Sequence, residues 1–296
     1  MFKSIVEDIK GQFATGHMIT KLIIINVGIW AFMALIKAFT PGSSSFYEIL
    51  VSYLAIPGEP IKLLLRPWTI ITHMFVHDGF GHVLWNMIYL YFFGRIVGEM
   101  IGDRHILPVY FASGLFGALA YFTWYQIMPV SIGAYAVGSS AAVSGLVLAS
   151  GLIAPDYEIN FFGFFRIRLK FIVLAVLLFY IIGLRSANQG GHVAHLAGMV
   201  MGFIFFRQLG GNKDISYRFN TFFDWITSLF DGSQREKARS KQHLKVKFKS
   251  DKLAKNETVS ISTEEQVDLI LDKIKKSGFK SLTTEERDIL AKASKE

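Results

Sequence analysis

The chain has 296 residues, 52% of them apolar and only 18% charged, and its mean hydropathy is positive at +0.38. A composition this apolar excludes an ordinary soluble domain, and the absence of cysteine excludes disulfide frameworks, thiol catalysis and cysteine-based metal sites. The formal charge of +8 does not call for nucleic acid, because the Lys and Arg gather in loops and in the tail, where membrane topology accounts for them.

Met1 to Lys21 is polar and mixed in charge, without the basic start, apolar core and small-residue cleavage site of a removable signal. Six apolar spans follow, at Met18–Phe39, Gly79–Gly98, Ile106–Ile127, Ile132–Ile153, Phe171–Leu184 and Gly191–Arg207. The predicted fold class is an all-α polytopic membrane protein with a soluble C-terminal tail. Residues 1–17 form its N-terminus and 18–207 its six-span core. Between the first two spans, residues 40–77 carry Pro41, Pro57, Pro60 and Pro67 with Phe46, Tyr47 and Trp68. The prolines argue against a span, and the aromatics suit a membrane–water interface.

Orientation follows from the Lys/Arg bias. Lys3 and Lys10 precede the first span, Arg95 and Arg104 flank the second connection, and Arg166, Arg168 and Lys170 lie in the fourth. The opposite set holds Lys62, Arg66 and Arg185, so both termini are predicted to be cytoplasmic and residues 40–77 external.

After Arg207 the character changes. Residues 208–260 read as an amphipathic and basic linker. In it, Phe219–Phe230 is aromatic and too short to span, and Arg235–Lys255 carries nine Lys/Arg against Glu236 and Asp251. Phe248 alone stands among these cations, so the stretch lacks the interleaved aromatics of a nucleic-acid stacking platform. Residues 261–296 read as two short helices, with capping-box patterns at Ser262–Glu265 and Thr283–Glu286 and a stop at Gly278. Such a hairpin is marginal alone, and either docks on an unknown partner or is simply a soluble tail.

Three polar groups stand out within the spans, each on a different helix. Ser140 is in the fourth, His195 in the sixth, and His82 with Asn86 in the second. Ionisable groups inside a membrane are costly and mark function by default, although a single such histidine is more often a packing residue. With the orientation above, all four residues fall in the outer half of the bilayer, with Ser140 some eight residues in from the external end of its span. His82 and Asn86, at i and i+4, face one spot, and two donors beside a serine suit a developing oxyanion. Ala194, Gly198 and Gly202 form a small-residue row that lets the sixth span press on the fourth and brings His195 toward Ser140. No Asp or Glu completes a triad, so a Ser–His dyad is predicted. His192 stands as an alternative base nearer the loop. His73, His77 and His82 lack an accompanying carboxylate at ligand spacing, and no metal or other cofactor is expected.

The assembled motifs resemble those of the rhomboid family of intramembrane serine proteases, over residues 18–207. Gly138-Ser139-Ser140 is similar to the family's Gly-x-Ser nucleophile motif. Ala194-His195-Leu196-Ala197-Gly198 followed by Gly202 is similar to its Ala-His-x-x-Gly segment. His82-Val-Leu-Trp-Asn86 is similar to its His-x-x-x-Asn pair, and Arg66-Pro67-Trp68 to the anchor of its first external loop. The resemblance implies a six-helix rhomboid-like bundle in which Ser140 is the nucleophile and His195 the base. The Ser140 N–H, His82 and Asn86 form the oxyanion hole, with Gly138, Ala194, Gly198, Gly202, Arg66 and Trp68 in support. It implies transmembrane protein substrates met in the lipid bilayer, a bacterial inner-membrane location, and movement of the fifth span and the 183–189 loop to admit them. The alternative is a related protein that binds or escorts membrane clients without cleaving them. The sequence departs from the family pattern twice. Ala141 stands where glycine usually follows the nucleophile, and Ser144 stands where some members carry an aromatic under the histidine, which leaves His195 to be positioned by other packing.

Overall fold

The computed structural model describes residues 2–40, 46–128, 135–161, 165–209, 216–217 and 219–221, with isolated positions at Ile270, Thr283, Glu286, Leu290 and Ala293. Two compact units emerge, Met1–Ile226 and Thr227–Glu296.

The first unit is mostly helical. In chain order it contains α1 (Phe2–Thr15), α2 (Met18–Phe39), α3 (Phe46–Leu54), β1 (Ile56–Pro57), α4 (Pro60–Leu65), α5 (Thr69–Thr72), a 3-10 turn at His73–Phe75, and α6 (Phe80–Ile101). Then come α7 (Ile106–Ile127), β2 (Tyr135–Ala136), α8 (Ser140–Ile153), β3 (Glu158–Phe161), β4 (Phe165–Arg168), α9 (Leu169–Gly183) and α10 (Gln189–Gln208). Each of the six apolar segments drawn from the sequence thus holds one long helix. Among the described residues, α2 and the stretch Asp103–Ile127 that includes α7 are long and apolar enough to cross a bilayer. Several helices expose large apolar side chains, among them Phe32 and Leu35 on α2, Leu119 on α7 and Phe179 and Ile182 on α9. Surfaces of that kind need an apolar neighbour.

The fourth segment corrects its predicted boundary. The helix starts at Ser140 and not near Ile132, because Tyr135–Ala136 pairs antiparallel with Ile56–Pro57 and Gly138 follows with φ +118°. Residues 132–134 lie outside the described set. The prolines of the 40–77 segment exclude one long helix, yet three short ones form around them, with Pro60 tolerated at the start of α4. The charged connection after α8 folds as a hairpin, β3 against β4, with Asp156 held by Lys170 at 2.7 Å and Arg168 at 3.6 Å. These pairs are exposed, so each contributes little to stability.

The core is organised around α8, which packs against α6, α7, α9 and α10. Its residues from Ala141 to Val147 are all buried. They are small because neighbouring backbones come within side-chain distance. A methyl on Gly198 or Gly202 would run into the carbonyls of Ala141 and Gly145. At the α1–α2 junction, the Asp103 carboxylate accepts from the Met18 N–H at 2.9 and 3.0 Å, which places an anion at the positive end of α2.

Ser216 and Phe219–Thr221 belong to the first unit. The Ser216 hydroxyl is 2.8 Å from His105 Nδ1, and Asn220 donates to the Arg104 carbonyl at 3.1 Å. In the second unit the Thr283 N–H donates to Glu286 Oε2 at 2.8 Å, and the Glu286 N–H donates to Thr283 Oγ1 at 3.3 Å, which is a capping box. The other capping-box pattern, at 262–265, the basic stretch 235–255 and most of the aromatic stretch 219–230 lie outside the described residues.

Candidate active site

The start of α8 is set by three local features. Gly138 takes a φ of +118° that L side chains rarely adopt, and its N–H donates to the His73 carbonyl at 2.8 Å. A Cβ at Gly138 would stand 2.6 Å from His82 Nε2, so only glycine lets that ring approach. Ser139 then precedes the first helical residue, and the first intrahelical bond runs from the Val143 N–H to the Ser139 carbonyl at 2.9 Å. Ser140 is therefore the opening residue of a helix. The N–H groups of that first turn have no intrahelical carbonyl to pair with, and they carry the positive end of the helix dipole.

Facing it is α10. Because Gly198 and Gly202 lie directly on the α8 backbone, His195, one turn before Gly198, comes level with Ser140. His195 Nε2 stands 2.6 Å from Ser140 Oγ. With the serine O–H donating to Nε2, the imidazole proton sits on Nδ1, and that atom has no hydrogen-bond partner among the described residues. Among the described residues no carboxylate orients the ring. His192 is not at the site: its ring centroid is 5.8 Å from that of His195, and it packs edge-on to Phe179.

His82 supplies a third side. The Asp78 N–H donates to His82 Nδ1 at 3.4 Å, so the ring proton belongs on Nε2, next to Gly138. Asn86 lies one turn further along α6 than His82. Its amide donates to the His82 carbonyl at 2.8 Å, it is buried, and it is not among the residues that line the cavity beside Ser140. The i, i+4 spacing lets one of the two amide protons of Asn86 bond back to its own helix.

That cavity holds about 350 Å³ and is walled by Ser140, His195, His82, Gly138, Tyr121 and Asn188, with Asp78, His73 and Tyr135 also on its lining. Asn188 caps α10, accepting from the Gly191 N–H at 3.2 Å. Ala141 and Ala194 are on the wall and meet α7 at Gly117. Arg66 and Trp68 lie further out and act on the loop. Arg66 stacks 3.7 Å over the Tyr53 ring and donates to the Ser52 carbonyl at 2.9 Å, while the Trp68 indole donates to the Tyr53 carbonyl at 2.8 Å.

Two more groups belong to the site: His77, which the sequence offered only in a possible metal set, and Tyr180, which carried no sequence signal. His77 Nε2 lies 3.1 Å from Ser139 Oγ and edge-on to His82, so it braces both the start of α8 and the candidate oxyanion donor. Burial, with His82 beside it, pushes the His77 imidazole down from 6.5 to about 4, so it is neutral there at pH 7. Tyr180, on α9, stacks against His195 with ring centroids 4.6 Å apart. Among the described residues no cluster of three or more His, Asp or Glu side chains is placed to hold a metal ion.

Comparison with known proteins adds an independent line. The profile of the rhomboid domain matches residues 65–210, the span that contains Ser140, His195, His82, Asn86, His77 and Tyr180. The chain belongs to the rhomboid family. The rhomboid protease GlpG of Pectobacterium atrosepticum is 28% identical over 165 residues, which cover 54% of this chain and 54% of that protein. The same-named protein of Yersinia pseudotuberculosis is 28% identical over 160 residues, covering 52% of each. RHOMBOID-like protein 12, mitochondrial, of Arabidopsis thaliana is 32% identical over 102 residues, covering 30% of each. The matched part is thus about half or less of these relatives' lengths. Rhomboids are integral membrane proteins, which accounts for the apolar helix faces described above. Residues 260–296 match a separate family of unknown function, DUF6576.

Proposed function

We propose that this rhomboid is an intramembrane serine endopeptidase that hydrolyses peptide bonds in or beside transmembrane segments of other proteins. The observation that carries the proposal is the 2.6 Å contact between His195 Nε2 and Ser140 Oγ on the wall of a cavity, with each partner on its own helix. Ser140 gives its proton to Nε2 as its oxygen attacks the scissile carbonyl, and the imidazolium returns that proton to the leaving amine. The developing oxyanion meets the N–H groups at the start of α8 and His82 Nε2–H. Asn86, with one amide proton on the His82 carbonyl, has a second to offer the same oxyanion. Water then enters the cavity and its oxygen attacks the acyl carbonyl as His195 takes its proton; the ester bond breaks as His195 passes that proton to Ser140 Oγ, which frees the acid and restores the serine.

In this reading all six long helices cross the membrane and both termini are cytoplasmic. Residues 18–207 form the protease core, 40–77 the external segment, and 208–260 and 261–296 a linker and a small helical appendage. The relatives named as bacterial GlpG proteins favour a cell-membrane location. Substrate segments are those with small, helix-destabilising residues, because a stable helix keeps its carbonyls in its own hydrogen bonds.

The test is cleavage of a single-span reporter in liposomes by the wild type, Ser140→Ala, His195→Ala and, as a control far from the site, Ser150→Ala. Cleavage by the wild type and Ser150→Ala alone supports the dyad. Cleavage that persists in Ser140→Ala refutes the nucleophile, and no cleavage by any protein across several reporters moves the reading to client binding.

A further inference from the structure

His195 has an orientation problem. Its helix fixes the backbone, but the imidazole still turns about two side-chain bonds, and its Nδ1 has no partner to hold it. Two contacts to the ring stand out among the described residues: the hydrogen bond to Ser140 Oγ and the Tyr180 ring, whose plane is tilted by 49° to the imidazole at 4.6 Å. His192, at 5.8 Å and edge-on, is too far to restrain it. In the reaction proposed above, the first restraint disappears once Ser140 is acylated, because an ester oxygen has no proton to donate. From that point to deacylation, the Tyr180 ring still restrains it.

Tyr180 is itself held. Its hydroxyl lies 3.0 Å from Ser144 Oγ, and Ser144 Oγ lies 2.7 Å from the Ser140 carbonyl. Ser144 has one proton; given to that carbonyl, it leaves the serine oxygen free to accept from the Tyr180 O–H. The contacts close a circuit, from the Ser140 backbone through Ser144 and Tyr180 to His195 and back to Ser140 Oγ. We propose that Tyr180 is a positioning residue for the general base, tethered by Ser144 to the backbone of the nucleophile. The proposal rests on the dyad reading and adds a residue from α9 to it. The ring also offers its π face to the imidazolium that forms during each proton transfer.

The test compares the wild type with Tyr180→Leu, Tyr180→Phe, Ser144→Ala and the Ser144→Ala/Tyr180→Phe double variant, each verified as folded by melting. The expected result for Tyr180→Leu is a kcat lower by about tenfold or more with KM within about twofold, since orientation of the base and not substrate binding is lost. Tyr180→Phe keeps the ring and loses the tether, so it falls between wild type and Tyr180→Leu. Ser144→Ala matches it, and the double variant loses no more than either single one, because both remove the same bond. A Tyr180→Leu protein with kcat within about twofold of wild type overturns the proposal, as do additive losses in the double variant. A second readout does not depend on turnover: the nitrogen NMR signals of the His195 ring. The wild type is expected to hold one tautomer, protonated on Nδ1, and Tyr180→Leu to average. An inactive wild type that still shows this change sinks the protease reading and leaves the positioning role standing; an unchanged His195 spectrum overturns the role itself.

Discussion

A methyl group at Gly198 is the sharpest perturbation the packing offers. In Gly198→Ala the new carbon would stand 2.9 Å from the Ala141 carbonyl carbon and 3.2 Å from its Cα, and nearer still to the oxygen. These are backbone atoms, which cannot turn aside. Regaining ordinary van der Waals separation requires α10 to withdraw from α8 by about 1 Å. Ser140 adjoins Ala141, and His195 lies one turn from Gly198, so most of that displacement falls on the dyad. The 2.6 Å contact would open to about 3.6 Å, where a hydrogen bond is no longer made. A misplacement of about 1 Å at reacting groups costs about a hundredfold in rate, or about 2.7 kcal/mol of barrier. The overpacked helix pair also loses about 1–3 kcal/mol of stability. The assay is kcat/KM on a reporter substrate together with the rate of labelling by a fluorophosphonate and the melting temperature. A folded Gly198→Ala protein within about threefold of wild-type kcat/KM would refute the claim that this contact sets the Ser140–His195 distance. Gly202→Ala, which collides with Gly145 a turn further from the site, is expected to cost similar stability and less activity.

Gly138→Ala combines a disfavoured φ with a clash on His82. It is expected to lose about 1–3 kcal/mol of stability from the backbone alone and to lower kcat more than KM, read from steady-state cleavage; an unchanged kcat would remove His82 from the oxyanion role. His77 predicts a pH dependence. Its imidazole is held at about 4 in the native state against an ordinary 6.5, so between those values the unfolded chain binds more protons and stability falls as pH falls. The full difference is on the order of 3 kcal/mol, present above pH 6.5 and gone by about pH 4. Melting temperatures from pH 7 to pH 4 check this, with His77→Gln expected to flatten the dependence; identical profiles for the two proteins would refute it.

Ser140, His195 and His82 stood out in the sequence because polar groups inside apolar runs are expensive, so each must serve some purpose that local structure cannot explain. The glycine row on α10 was readable for a similar reason: small residues at helical spacing have one obvious use, the close approach of another backbone. Asn86 shows where such reasoning stops. Its spacing from His82 is correct for a shared focus, but a short amide in a helix can also give one proton to the carbonyl four residues back, and only the structure shows that it does. The start of α8 was misplaced because Tyr135, Ala136 and Val137 are as apolar as the helix they precede. What pulls them out of it is pairing with Ile56–Pro57, a partner some eighty residues away.

The sequence by itself determined the apolar helices, their ends at glycine and proline, and the residue types available for chemistry. Those properties are local, written in hydropathy and backbone preference within a few turns. Only the tertiary structure decided that Ser140 opens a helix, that His82 turns its Nε2 toward Gly138, and that the ring against His195 comes from Tyr180. Tyr180 sits in an apolar run with nothing to distinguish it from its neighbours. Its role arises from contacts between α8, α9 and α10, and close packing of three helices is a property of shape in space, which no single segment encodes.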